Sequence, residues 1–158
     1  MKFADFICKG SVTAEVASES KDAVIAEIVK NLADAGGISA GACDDIVAAI
    51  MKREELGSTG IGRGIAVPHT KHESVTKPVG TVAVSKEGVD FDSLDGEKVE
   101  LLFLLVSPPD QPKDHLRALE NISRQLEEDT FRRFLKQSKT AKDIQQLLEE
   151  ADNNQFVS

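Results

Sequence analysis

Three histidines are the residues of this chain whose type and spacing could do chemistry. His69 follows the short apolar run 65–67 and Pro68, which predicts a ring held at the end of a strand. His72 comes three residues later, and His115 falls in the first turn of a predicted helix. Because an imidazole can be a nucleophile, a metal ligand or a general base, the surrounding residues have to decide between these uses.

Neither a metal site nor a hydrolytic triad is indicated by these surroundings. His69 and His72 form an HxxH pair, but no cluster of thiolates or carboxylates accompanies it, so we expect no metal and no cofactor. A serine triad has no GxSxG turn to hold its nucleophile.

The glycines of the passage "LGSTGIGRGIAVPH" suggest contact with an anion. The passage lacks the GxxxxGK[ST] pattern of a P-loop. It also follows a predicted helix and enters a strand, whereas a dinucleotide fingerprint lies between a strand and a helix. The glycines therefore either form a tight loop at positive φ or let backbone amides approach a phosphate, and Gly60, Gly62 and Gly64 are the candidates for the second role.

A histidine that carries a phosphoryl group is the use these residues favour. Imidazole can accept the group and pass it on, which divides one difficult transfer into two easier ones. The group brings a charge of about −1.5 to −2 and needs donors around it. Arg53, the loop amides and a second histidine would serve, although the residues alone leave this as one alternative among several.

The elements that must position these residues alternate between helix and strand. Helices are predicted from Ser20 to Gly36-Gly37, from Ser39 to Leu56, from Lys113 to Glu127, from Thr130 to Lys136, and from a Thr140 cap onward. Strands are predicted at Ile65–Val67, Val79–Val84 and Val99–Val106, with strand character in "SVTAEV" near the N-terminus.

This order predicts an α/β fold. We expect one domain over residues 1–158, with a mixed β-sheet covered by helices on both sides and a frayed tail from residue 151. The apolar run from Leu101 to Val106 is typical of a central strand that is buried on both faces.

Composition excludes several classes of partner. A net charge of −8 with no basic stretch argues against nucleic acid. The longest apolar run is far shorter than the roughly 20 residues of a membrane helix, so no membrane insertion is expected. The N-terminus lacks the pattern of a signal peptide, which predicts a cytoplasmic protein.

Two passages resemble a known family. "REELGSTGIGRGIAVPHTKHESV" and "FDSLDGEKVELLFLLVSPPDQPKDHLRALENISRQL" resemble the enzyme IIA domain, fructose/mannitol class, of the phosphoenolpyruvate-dependent phosphotransferase system, and most of all its nitrogen-regulatory members. The resemblance implies that His69 accepts a phosphoryl group. It further implies that His115 is a second active-site histidine near His69, and that Arg53 helps to hold the group. A mixed sheet flanked by helices is the fold it implies.

The resemblance also implies partners. HPr, or its nitrogen-branch paralogue, is the expected phosphoryl donor. The protein is then a regulator that acts on a target protein, or, alternatively, a sugar-uptake component that passes the group to a separate IIB; a homodimer is possible in either case. A third alternative is a regulatory binding module that keeps the fold without phosphorylation, against which the joint presence of His69, Arg53 and His115 argues.

Two positions depart from the family pattern. Arg63 stands where relatives often have a small polar residue, and Thr70 where many have glycine. We expect Arg63 to lie beside the site and to affect its charge or its choice of partner. His72 has no assigned role and is expected to be a solvated loop residue.

Overall fold

A central strand, buried except at Glu100, organises the structure. A computed structural model describes residues 1–156. Its helices are α1 (Phe3–Phe6), α2 (Lys21–Asp34), α3 (Cys43–Glu55), α4 (Pro112–Leu126), α5 (Asp129–Gln137) and α6 (Ala141–Asp152), with a short 3₁₀-helix at Ala40–Ala42. Its strands are β1 (Gly60–Gly62), β2 (Ile65–Ala66), β3 (His69–Lys71), β4 (Val79–Val89) and β5 (Val99–Ser107).

The sheet is mixed because β5 has parallel neighbours on one side and an antiparallel neighbour on the other. β2 and β3 pair with β5 in parallel and in one continuous register, with Ile65 opposite Leu101 and His69 opposite Leu105. They are therefore two segments of one extended stretch, interrupted at Pro68. β4 pairs with β5 antiparallel, and β1 pairs antiparallel with β2.

Helices cover both faces of this sheet. Alternate residues of β5 point to opposite faces. Leu101, Phe103 and Leu105 pack in one core with side chains of α1, α4, α5 and α6. Leu102, Leu104 and Val106 pack in a second core with side chains of α2 and α3. The predicted α/β fold, with a mixed sheet between two helical layers, is confirmed.

Helix caps agree with the signals read from the sequence. Ser20 accepts a hydrogen bond from the Ala23 N–H at the start of α2. Thr140 and Asp143 form a reciprocal capping box at the start of α6.

Among residues 1–156, no helix is both long enough and apolar enough to span a membrane.

Two terminal predictions differ from the structure. The "SVTAEV" segment forms no strand of its own; it follows β4 through a single bridge from Thr13 to Ala83 and a few backbone hydrogen bonds. The predicted frayed tail differs over 151–156, because α6 continues through Asp152 and the Phe156 ring packs 5.2 Å from that of Phe131. Val157 and Ser158, the rest of that predicted tail, lie outside the described residues.

The β1–β2 hairpin has a turn that its sequence suits only in part. Gly62 pairs with Ile65, so Arg63 and Gly64 are the two turn residues, and their φ angles are +60° and +76°. Positive φ at both positions is what a type I′ turn requires, and Asn-Gly is the pair that it favours. Gly64 meets this requirement, whereas Arg63 adopts a left-handed conformation that a long L side chain disfavours.

Replacing Arg63 by asparagine should therefore stabilise the fold. We expect Arg63→Asn to raise the free energy of unfolding by about 1 kcal/mol, because asparagine enters the left-handed region at lower cost. Urea denaturation monitored by circular dichroism measures the change. Arg133→Asn, on the exposed side of α5, is the matched control and should give no gain. An Arg63→Asn variant no more stable than the parent would contradict the turn assignment.

Candidate functional site

His69 is held at the sheet end on the face that α4 covers. Ile65 and Val67 pack in the α4 core, and because strand side chains alternate, His69 and Lys71 continue along the same face. The His69 ring is half-buried, and its Nδ1 lies 2.7 Å from the Val67 carbonyl oxygen. A carbonyl oxygen only accepts hydrogen bonds, so Nδ1 carries the proton and Nε2 keeps a free lone pair.

His115 lies beside His69. It stands in the first turn of α4 and is buried, with its Nδ1 2.6 Å from the Ser107 Oγ at the end of β5. The two imidazole centroids are 5.6 Å apart, with the ring planes inclined at 53°. Strand register and one helix thus bring together the two histidines that the sequence places far apart.

The electrostatic surroundings keep His115 neutral. Burial first, and then the electrostatic effect of the neighbouring His69 and Lys71, lowers the pKa of His115 to about 4. In the tautomer in which the Ser107 hydroxyl donates to Nδ1, the neutral ring carries its proton on Nε2. His115 can then donate that proton in a hydrogen bond without being a charged group.

Arg53 lies at the entrance to the glycine-rich loop. It belongs to the last turn of α3, and its Nη1 donates to the Gly57 carbonyl oxygen at 2.9 Å. Among the hydrogen bonds of residues 1–156, none joins Arg53 to His69. The guanidinium carries five donors, so the bond to Gly57 leaves others for an incoming anion.

Two of the three glycines predicted to bind phosphate are far from His69. Gly62 precedes the hairpin turn and Gly64 is one of its two residues, beside Glu100 and Lys136. Ile65 and His69 are separated by four strand positions, or about 13 Å along the sheet. That Gly62 and Gly64 contact a phosphoryl group therefore stays a prediction, and so does the placement of Arg63, which lies between them, beside the site.

Gly60 has a packing role in the structure. It pairs with Ala66 in the sheet, and a Cβ at position 60 would lie 2.2 Å from the Ser93 Oγ. Its place therefore requires the absence of a side chain. Whether its amide also approaches a phosphate stays a prediction.

His72 is anchored, contrary to the expectation of a solvated loop residue. Its Nε2 bonds to the Asp45 carboxylate in the first turn of α3, and its Nδ1 lies 2.6 Å from the Ser74 Oγ. The His72 N–H also donates to the Ser107 carbonyl oxygen at 2.8 Å. These bonds fasten the end of β3 to α3 and β5.

The arrangement suits covalent transfer of an anionic group. The half-buried His69 ring lies beside the neutral His115 ring, and Lys71 adds positive charge nearby. Within the part of the chain that the structure describes, no three His, Cys, Asp or Glu side chains are grouped so that they could hold a metal ion.

Comparison with known proteins decides the family. The family model for the phosphoenolpyruvate-dependent sugar phosphotransferase system, EIIA 2, matches residues 5–151. The chain belongs to this EIIA family.

Relatives of this EIIA chain carry two kinds of name. A nitrogen regulatory protein of Bradyrhizobium diazoefficiens is 31% identical over 148 residues, which are 94% of this chain and 95% of that protein. The PTS system fructose-specific EIIABC component of Bacillus subtilis is 34% identical over 152 residues, or 96% of this chain. The match covers 24% of that fructose protein, so the chain spans about a quarter of its length.

Solved structures of the EIIA family share the fold. The nitrogen regulatory protein IIA-Ntr of Neisseria meningitidis superposes with a TM-score of 0.83 at 26% identity, over 92% of this chain and 98% of that one. IIA mannitol of Escherichia coli gives a TM-score of 0.73 at 20% identity, over 88% of this chain and 96% of that one, a likeness of fold.

Sequence reasoning missed two side chains at this EIIA site. Ser107 orients His115, and Lys71 places positive charge near it. The period of two along β3 would have placed Lys71 on the His69 face. Ser107 ends a buried strand just before Pro108-Pro109, but nothing in the sequence pairs it with His115.

The lowered pKa of His115 should make stability depend on pH. The folded-state value of about 4 lies below the ordinary value of 6.5, so the unfolded chain binds more protons between these limits. This contribution to stability is fully present above pH 6.5 and is lost as the pH falls toward 4. We expect the free energy of unfolding of the wild type to fall more steeply over this window than that of His115→Asn, as measured by urea denaturation at successive pH values. Equal slopes would contradict a neutral, buried His115.

Proposed function

We propose that the protein is a phosphohistidine carrier of the nitrogen-regulatory type, phosphorylated on Nε2 of His69 by an HPr-type donor. The observation that carries this proposal is the hydrogen bond from His69 Nδ1 to the Val67 carbonyl oxygen at 2.7 Å. It fixes the tautomer in which Nε2 is the nucleophile and sets the direction of the ring. An imidazole in that state needs no base to activate it.

The transfer step requires positioning more than proton movement. Nε2 of His69 forms a bond to phosphorus while the bond from phosphorus to the donor's imidazole nitrogen breaks, and the electron pair of that bond returns to the donor. The His69 ring retains its Nδ1–H toward Val67 throughout. Catalysis then rests on in-line alignment and on groups that stabilise the charge of the phosphoryl oxygens.

Arg53 and His115 are the groups proposed to stabilise that charge. The proton on Nε2 of neutral His115 can bond to a phosphoryl oxygen, since the ring lies next to His69. Arg53 adds a permanently charged guanidinium group, whose planar arrangement of N–H donors matches the oxygens of a phosphoryl group. Lys71 contributes positive charge on the same face.

Similarity favours a regulatory role over a transport role. The overlay on IIA-Ntr has a higher TM-score and a higher identity than the overlay on IIA mannitol. On this proposal the donor is the nitrogen-branch paralogue of HPr or HPr itself, and the recipient of the signal is a regulatory target protein.

Sugar uptake is the second candidate, and one observation favours it. A fructose-specific EIIABC component is 34% identical over nearly the whole of this chain. In that case the phosphoryl group passes from His69 to a separate IIB component. Rates of phosphorylation by HPr and by its nitrogen-branch paralogue, measured side by side, separate the two roles.

Loss of His69 should abolish phosphorylation. With phosphoenolpyruvate, enzyme I and either donor, we expect the wild type to take up acid-labile, base-stable label and His69→Ala to take up none, because the nucleophile is gone. His72→Ala is the matched control, since His72 lies three residues further and bonds to Asp45 and Ser74. Label on His69→Ala, or no label on the wild type with either donor, would overturn the proposal.

Loss of Arg53 should slow the transfer without abolishing it. We expect the rate constant of Arg53→Ala to fall by about 100-fold, as when one donor to a developing oxyanion is removed. Rapid-quench measurement of single-turnover labelling gives the rate constant. Lys52→Ala, on the exposed side of the same helix turn, should transfer at the wild-type rate. An undiminished rate for Arg53→Ala would remove Arg53 from the site.

A further inference from the structure

A buried carboxylate lies one residue from Arg53 and takes no part in the mechanism above. Glu54 is in the last turn of α3, and its side chain is only 2% exposed. Carboxylates are seldom buried without a set of partners, because removing the charge from water costs several kcal/mol. The partners of Glu54 therefore indicate what it is there to hold.

The partners of Glu54 come from two distant parts of the chain. The Thr59 N–H donates to both carboxylate oxygens, at 3.1 and 3.2 Å, and the Thr59 hydroxyl donates to Oε1. The Lys21 Nζ, from the first turn of α2, lies 2.6 Å from Oε2. This ammonium also donates to the Phe91 carbonyl oxygen at 3.3 Å and lies 4.9 Å from the centre of the Phe91 ring.

Thr59 connects this ion pair to the nucleophile. The Thr59 carbonyl oxygen accepts a hydrogen bond from the Val67 N–H at 3.1 Å. The Val67 carbonyl oxygen in turn accepts the bond from His69 Nδ1. A continuous chain of contacts thus leads from Lys21 through Glu54, Thr59 and Val67 to the ring of His69.

We propose that Glu54 is a positioning residue for phosphoryl transfer, with Lys21 as its counter-ion. Through Thr59 it holds the peptide at Val67 whose carbonyl oxygen selects the Nδ1–H tautomer of His69 and directs Nε2 outward. This inference rests on the function proposed above. Glu54 touches neither the ring nor the phosphoryl group.

The alternative is that the ion pair only stabilises the fold. Breaking a buried pair by removing one partner leaves the other charge uncompensated, so loss of stability alone does not distinguish the two roles. A positioning role makes a further demand, since the His69 tautomer and the chemical rate must change beyond what an equal loss of stability causes elsewhere.

Glu54→Gln is the test variant, because glutamine keeps the length of the side chain and turns one accepting oxygen into a donor. That NH₂ group then faces Lys21 or the Thr59 donors, which it cannot satisfy. Glu55→Gln is the matched control, since Glu55 is the next residue of the same turn and is exposed. Ile144→Ala, in α6, is a second control that removes a buried side chain away from Thr59.

Two measurements on the full chain decide the question. Nitrogen-15 NMR of the imidazole rings gives the His69 tautomer, and rapid-quench labelling from phosphorylated HPr gives the rate constant. For Glu54→Gln we expect a smaller Nδ1–H fraction and a rate constant lower by about 10- to 100-fold, because a displacement of about 1 Å can cost that much. Glu55→Gln and Ile144→Ala should match the wild type in both measurements at a temperature where all are folded.

Each outcome has a defined consequence. A wild-type rate for Glu54→Gln, or an equal loss of rate in Ile144→Ala, overturns the positioning role and leaves the proposed function standing. A wild type that takes no label overturns the proposed function and with it the kinetic role, while the tautomer still tests the link to Val67. If Glu54→Gln does not fold, Thr59→Val removes the hydroxyl donor alone, and an unchanged His69 tautomer and rate in that variant overturn the inference.

Discussion

The parallel register between β3 and β5 is the constraint on which the site depends. It places His69 opposite Leu105 and Lys71 opposite Ser107, the residue that orients His115. Because β5 is packed on both faces, a shift of one residue would move its side chains into the opposite cores. The packing of the sheet therefore fixes the spacing between the two imidazoles.

The candidate site carries local positive charge, although the net charge of the whole chain is −8. Lys71 and the two histidines gather near one sheet end, and burial keeps His115 uncharged until the surroundings become acidic. A phosphoryl dianion would meet hydrogen-bond donors that are already oriented, and it would bring the negative charge that the site lacks.

The sequence predicts the helical layers and the central strand better than it predicts the glycine-rich loop. Apolar periodicity suffices for the helices and for β5, since burial alone dictates those patterns. His115 was paired with His69 by family resemblance, because register between distant strands is not visible in local spacing. For a related reason the sequence leaves the role of Gly62 and Gly64 open: glycine indicates positive φ, but only the pairing partner tells a hairpin turn from an anion cradle. Lys21 and Glu54 were missed because their contact exists only in the folded chain.

The extended stretch from the β1–β2 hairpin to Lys71 is held by different contacts at its two ends. At the His69 end, the ring bonds to the Val67 carbonyl oxygen, and the His72 N–H donates to the Ser107 carbonyl oxygen. The opposite end is a two-residue turn with a strained Arg63, held by Lys136, by Asp95 and by two backbone hydrogen bonds from β5 to the Gly64 carbonyl oxygen. Different contacts therefore hold the hairpin turn and the His69 ring, so the two ends of the stretch can vary in sequence independently of each other.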